Sequence, residues 1–346
     1  MPAVVVYPWR PAYGVKMNRR NFIALVGGAA GYAFLRPDVA RTETIGPKPR
    51  IGMLWHAGSA EEESVYLAAF RQGLADFGYV EGKNIVVEHR FPAEKPERFQ
   101  SMAAELVALK MDVLVAAGQP PALALQRATE ILPIVFVAAY DPIGVGLVSN
   151  LARPSGNITG LSLPDLIGKR LDLFRQALPN LSRVAVLINA TNQSYAHRYA
   201  EAVQDDGRKL DLVIQPVEVN GPGDLERAFA TISVDAGTGV AAAADVMFYN
   251  ERKRITALAL ASRLPSMFHS EEFVKVGGLL SYGANVPAIF RHSALYVDKI
   301  IKGSTTKDLP VEQPTLFRTF ANVQTAKALG LTIQPTVLAL ADQVIE

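Results

Sequence analysis

From position 51 onward, short unbroken apolar runs alternate with longer segments in which apolar residues recur every three to four positions. Ile51-Gly52-Met53-Leu54-Trp55 reads as a buried strand. Glu62 to Phe77 reads as a helix with Val65, Leu67, Ala68, Phe70 and Leu74 near one face, stopped by Gly78. The spacing then predicts strands over 84–90, 112–116 and 133–137, separated by helices over 96–109 and 121–129. Segment 157–164 lies between this set and a second one, with helices over 166–178, 195–210, 224–232 and 251–263. Strands of the second set are expected over 183–188, 211–218, 239–244 and 265–268. A strand over 278–282, a helix over 286–301 and a strand over 315–320 complete the pattern. Continuous apolar strands between amphipathic helices argue for parallel sheets covered on both faces, so the fold class is α/β. Two successive sets of similar size predict two Rossmann-like lobes.

Open parallel sheets bind ligands in the crevice beyond the carboxyl ends of their strands. Here those ends carry small and polar residues: His56-Ala57-Gly58-Ser59, Gly118-Gln119-Pro120, Tyr140-Asp141-Pro142, Asn189-Ala190-Thr191-Asn192, Asp245 and Ser281-Tyr282-Gly283. Two lobes with facing polar rims form a cleft.

The first 40 residues behave differently. They hold Arg10, Lys16, Arg19, Arg20 and Arg36 against only Asp38, whereas the remainder of the 346-residue chain is slightly acidic. A slightly acidic body has no electrostatic footprint for nucleic acid. Arg19-Arg20 is followed by an apolar run of 14 residues, Phe22 to Leu35. A bilayer-spanning helix needs about 20 apolar residues, so a basic start, a short apolar run and a polar stretch describe an export signal instead. Arg-Arg-x-Phe is similar to a twin-arginine signal. The expectation is a leader over 1–45, cleaved near residue 40, with Met17 as a candidate start, and a soluble periplasmic mature protein.

Common catalytic signatures are missing from the sequence. No Gly-x-Gly-x-x-Gly turn, Walker A loop or Gly-x-Ser-x-Gly elbow occurs. The chain has no cysteine, and its histidines (His56, His89, His197, His269, His292) show no zinc-type spacing. No cofactor and no metal are expected. Asp205-Asp206 and Glu61-Glu62-Glu63 read as solvated helix faces.

Several stretches carry a resemblance when taken together and in order. They are Arg19 to Ala30; Ala69-Phe70-Arg71-Gln72-Gly73-Leu74; Gly78-Tyr79-Val80-Glu81-Gly82-Lys83-Asn84; Ile134-Val135-Phe136 with Asp141-Pro142; Arg153-Pro154-Ser155-Gly156-Asn157-Ile158-Thr159-Gly160; Gly277 to Gly283; Leu309 to Thr315; and Ala326 to Ile333. With them the chain resembles the ABC-transporter substrate-binding family of the periplasmic-binding-protein type I fold. The branch is the one that includes tryptophan- and phenylalanine-type amino-acid binders. The resemblance implies two lobes joined by a multi-crossover hinge and no catalysis. It implies a monomeric exported receptor that closes on a small solute and delivers it to an ABC permease in the inner membrane. Crossings are expected near Ser162–Asp165, near Phe268–Gly278 and after Gly303. The first lobe would then span 50–163 plus about 278–303, and the second 164–277 plus about 304–346. A two-lobed α/β enzyme and a receptor for a signalling partner are the alternatives.

Asp141 precedes Pro142 at the end of a buried strand. It is either a turn or N-cap acid or a carboxylate aimed at a ligand ammonium. Asp245 has the same two readings. A charge in a closed cleft is costly unless paired, so an acid kept there predicts a cationic group on the ligand. Ser59, Gln119, Thr159, Asn189, Thr191 and Ser281 are candidate donors to a ligand carboxylate, each also readable as a cap. Tyr140, Tyr282, Trp55 and Phe248 are candidates to stack on an apolar or aromatic group. Trp55 lies within a strand and reads as core, whereas Tyr282 between Ser281 and Gly283 suits the cleft better.

Overall fold

A computed structural model describes residues 47–346, apart from the side chains of 193–195. The leader over 1–45, with Arg19, Arg20 and Met17, lies outside the described residues. The apolar runs become strands buried from end to end. In β3 (Val113–Ala117) and β8 (Thr238–Ala242) every residue is buried, as in a sheet with both faces covered.

The first sheet is built from β1 (Arg50–Leu54), β2 (Val86–Arg90), β3, β4 (Ile134–Tyr140) and β5 (Ile158–Leu163). Its order is β2-β1-β3-β4-β5, all parallel. The connecting helices are α1 (Ser64–Asp76), α2 (Pro96–Ala108) and α3 (Gln119–Ala128). Strand β5 occupies the segment expected only to separate the two sets.

The second sheet has the order β12-β11-β10-β9-β8-β6-β7. Its strands are β6 (Arg183–Asn189), β7 (Val213–Val219), β8, β9 (Ser266–Phe268), β10 (Leu280–Ala284), β11 (Phe317–Asn322) and β12 (Gln343–Ile345). All neighbours are parallel except β10 and β11. Helix α4 (Ile167–Ala177) leads from β5 into β6, and α5 (Gln193–Lys209), α6 (Leu225–Ala230), α7 (Val246–Asn250), α8 (Arg252–Ala261) and α9 (Glu271–Lys275) connect the strands of this sheet. Helix α10 (Val286–Ile301) follows β10, and α11 (Val323–Leu329) and α12 (Pro335–Leu340) lie between β11 and β12.

Two details depart from the sequence expectation. The segment 278–303 does not join the first sheet as a block. Strand β10 pairs with β9 and β11, while α10 packs on α1 and β4, so the middle crossing falls between Ala284 and Val286. The Gly277-Gly278 break is the turn between α9 and β10 within one sheet, which a sequence break alone cannot distinguish from a crossing. The other chain crossings run from Leu163 to Ile167 and from Glu312 to Phe317. In the latter, Glu312 bridges Leu161 of β5 before the chain enters β11. The second departure is the buried face of α1, which carries Tyr66, Leu67, Phe70, Gly73 and Leu74, whereas Val65 and Ala68 are exposed. The close approach of α10 decides this: a methyl on Gly73 would lie 2.1 Å from the Arg291 carbonyl oxygen.

Candidate functional site

The carboxyl ends of β1, β3 and β4 meet those of β6, β8 and β9. A methyl built on Gly118, at the end of β3, would lie 3.5 Å from Val246 Cγ2 and 3.6 Å from His56 Cδ2. Gly118 also has φ 97°, a conformation that strains any residue with a Cβ, so glycine lets the two rims meet here. The ring of Tyr66 on α1 also packs 4.6 Å from that of Tyr249 on α7.

On the second sheet, Asn189, Thr191 and Asp245 form one hydrogen-bonded group. Asn189 ends β6 and donates from Nδ2 to Asp245 Oδ1 at 3.0 Å. Its Oδ1 accepts from the Thr191 backbone N–H at 3.0 Å and hydroxyl at 2.7 Å. Asp245 follows β8 and caps α7, with Oδ1 accepting from the Met247 N–H at 2.9 Å. Capping and an anionic group at the rim therefore coexist in one side chain, because one oxygen receives both bonds. Asp245 and Asn189 are buried.

On the first sheet, the facing group is one that sequence spacing does not display. His56, two residues beyond the end of β1, is 1% exposed, and its Nδ1 meets Glu94 Oε1. Glu63, at the N-terminus of α1, accepts from the N–H groups of His56 at 3.2 Å and Ala57 at 2.9 Å. Glu61 and Glu62 are exposed as expected of a charge run, but Glu63 is fully buried because its carboxylate closes the β1–α1 loop. Burial pushes the Glu63 carboxyl up to about 7, against the hydrogen bond from Ala57 and the charge of His56. The only sequence signal for this group is a histidine placed directly after a buried strand. Among the described residues no group of three or more such side chains is arranged to hold a metal ion.

The remaining candidates fall elsewhere. Gln119 is buried at the start of α3, next to Gly118. Ser59 sits in the β1–α1 loop, where its hydroxyl accepts from the Glu62 N–H at 3.3 Å. Thr159 lies inside β5 and donates to the Leu309 carbonyl at 2.6 Å, tying the segment that precedes the last crossing to the first sheet rather than facing the rim group. Ser281 is buried level with Phe268, and Tyr282 beside it packs its ring 6.1 Å from Phe317. Phe248 and Trp55 are fully buried. Trp55 is core, with its indole N–H donating to His89 Nδ1 at 2.9 Å.

A bulge in β4 decides where Tyr140 and Asp141 point. The pairing with β5 shifts between Val137 and Ala139, and Ala138 has φ 60°. Tyr140 then lies in a small pocket with Arg170 and His269, and burial drives its hydroxyl pKa upward. Asp141 is half-exposed, accepts from the Gly144 N–H at 3.0 Å and pairs with Arg198 of α5. That ion pair flanks an open cleft of about 360 Å³ lined by Ile143, Leu163, Pro164 and Tyr199.

Two mostly parallel sheets joined by crossings, with polar groups converging where their strand ends meet, define a two-sheet binding protein of the periplasmic-binding-protein type I fold. Residues 61–345 match the family described as ABC transporter substrate binding protein, and the chain belongs to that family. That family is one of substrate-binding proteins, not of enzymes. The chain is 24% identical over 264 residues to a tyrosine-binding protein of Clostridioides difficile, covering 76% of this chain and 75% of that one. A conserved domain protein from Vibrio cholerae is similar in structure with TM-score 0.80 and 26% identity, over 86% of this chain and 99% of that one. The ABC domain from Streptococcus pneumonia in complex with L-Trp has TM-score 0.77 and 23% identity, over 86% of this chain and all of that one. Among the described residues no helix is long and apolar enough to cross a membrane.

Proposed function

We propose that this chain is the periplasmic receptor of an ABC importer. It closes on an amino-acid-like or carboxylated solute and passes it unaltered to a permease in the inner membrane. In this reading the two sheets act as lobes that move about the crossings, and the ligand favours closure by touching both rims. The first lobe takes 50–163 with α10, and the second takes the segments of the seven-stranded sheet. The leader with Arg19-Arg20 directs export, is cleaved near residue 40 and leaves a monomer.

The observation that carries the proposal is the buried carboxylate of Asp245 at the meeting of the two rims. Both of its hydrogen bonds land on Oδ1, so Oδ2 retains the capacity to accept from a ligand ammonium. Gln119, buried at the start of α3, is suited to the ligand carboxylate, whereas the hydroxyl and N–H of Thr191 are both given to Asn189 Oδ1 and hold the rim group together instead. The tyrosine-binding relative and the L-Trp complex support an amino acid with an aromatic side chain as guest. A thermal-shift screen of the twenty amino acids, aromatic acids and purines tests this. A true ligand at a hundredfold excess over Kd stabilises by about 2.7 kcal/mol. No shift with any amino acid or carboxylated compound, or chemical turnover of a compound that does bind, overturns the proposal.

A further inference from the structure

The imidazole of His56 is tied at one edge only. Its Nδ1 meets Glu94, whereas Nε2 is buried without a hydrogen-bond partner among the described residues. The untied edge lies beside Gly118, where the rim of the first sheet meets Val246 of the second. The methyl position on Gly118 that lies 3.5 Å from Val246 Cγ2 is also 3.6 Å from His56 Cδ2, the ring atom bonded to Nε2. Three acids surround the ring: Glu94 from the loop after β2, Glu63 from the start of α1, and Asp245 from the start of α7. Phe99 of α2 covers it edge-on at 5.5 Å. Burial acts to discharge the imidazolium. The acids, Glu94 foremost, overcome that and raise the ring to about 9, so both ring nitrogens carry protons at neutral pH.

We infer that His56 is a ligand contact whose Nε2–H takes the carboxylate of an amino-acid solute while Asp245, across the crevice, takes the ammonium. The inference rests on the receptor proposal above and names the group that reads the solute's carboxylate. An α-amino acid holds both charges on one carbon. A cation on one rim and an anion on the other match that pair only when the rims are together. Glu94 is a positioning residue that fixes the ring. A solute without a carboxylate leaves a buried charged donor unmatched and is rejected.

Calorimetric titration of the full chain with L-tryptophan, L-tyrosine and L-phenylalanine, and with their carboxamides, tests the assignment. His56→Asn keeps a donor near the Nδ1 position for Glu94 and removes the one at Nε2, whereas His56→Gln places a donor near Nε2. The wild type is expected to prefer acid over amide by at least about tenfold, as a hydrogen bond between charged groups provides. That preference collapses in His56→Asn and largely returns in His56→Gln. Should His56→Asn fail to fold, nitrogen-15 spectra of the histidine-labelled wild type decide: the His56 Nε2 signal moves with the acid and not with the amide. An unchanged preference in folded His56→Asn, or a signal that ignores the acid, overturns the role of His56 and leaves the receptor proposal standing. A wild type that binds none of the three acids overturns the aromatic amino-acid reading, and this inference with it.

Discussion

The rings of Tyr66 and Tyr249 lie 4.6 Å apart and tilted by 32°, although α1 flanks the first sheet and α7 the second. Tyr66 also stacks on Phe290 at 4.5 Å, so one aromatic column runs through the junction of the sheets. Removal of the ring deletes buried area on both sides. Tyr66→Ala should therefore destabilise the protein by about 3–5 kcal/mol, as large-to-small core substitutions of aromatic residues do. Urea unfolding measures this; a loss under about 1 kcal/mol would mean that the column bears no load.

Asp245 caps α7 and, in the proposed site, also receives the ligand ammonium, and different substitutions separate the two. Asp245→Ala removes the cap on α7 and the acceptor for Asn189, and is expected to lower stability by about 1–2 kcal/mol as well as abolish binding. Asp245→Asn keeps an acceptor for the cap while deleting the charge. Its melting point should stay near that of the wild type while ligand affinity falls about tenfold or more. Calorimetry beside a thermal melt gives both numbers, and intact affinity in Asp245→Asn would refute the ammonium role.

Asp141 provides the contrast. It is half-exposed and already paired with Arg198, and exposed ion pairs contribute about 0–1 kcal/mol. Asp141→Asn is expected to weaken ligand binding less than Asp245→Asn does, with an effect that shrinks as salt is added. Affinities of the two variants at low and high ionic strength make the comparison, and a larger loss at Asp141 would return the ammonium site to that acid.

Buried titrating groups give stability a pH dependence of defined sign. His56 is raised from 6.5 to about 9, so its contribution is complete below pH 6.5 and lost as pH rises through about 9. Glu63, raised by burial from 4.5 to about 7, adds a loss as pH rises through about 7. His269 is pushed down from 6.5 to about 3 by burial and then by Arg170. Its contribution is present above pH 6.5 and lost as pH falls through about 3. The apo melting temperature should decline from neutral to alkaline pH, and His56→Asn should flatten that decline. Scanning fluorimetry across the range tests it; an equally steep alkaline limb in the variant would place the cause elsewhere.

Gly283 sits where β10 nears its crossing. A methyl there would lie 1.8 Å from the His269 carbonyl oxygen, which is backbone and cannot step aside. Gly283→Ala is expected to cost about 3 kcal/mol, the upper end of overpacking, or to prevent folding. Denaturant midpoints compared with the wild type report it, and a neutral result would mean that the crossing has slack.

Most of the strand and helix order was legible in the sequence, because burial on both faces of a parallel sheet demands unbroken apolar runs and local periodicity records the helices between them. Elements without such a record were not. Strand β5 carries Thr159, Gly160 and Ser162 among its apolar residues, and α7 and α9 are five residues each, too short for a helical period to emerge. The rim residues Asn189 and Asp245 were visible as polar residues directly after apolar runs.

What the sequence determined by itself is the α/β class, the two sets of elements and the strand ends on which a site has to stand, since these follow from near-neighbour patterns. Only the tertiary structure decided that β10 joins the second sheet, that the Ala138 bulge turns Tyr140 and Asp141 toward α4 and α5, and that Glu63 is buried. It alone brought His56 and Glu94 together from 38 positions apart and set them against Asp245. Strand order, bulges and desolvation depend on partners remote in the chain, and no local pattern of polar and apolar positions encodes which partner arrives.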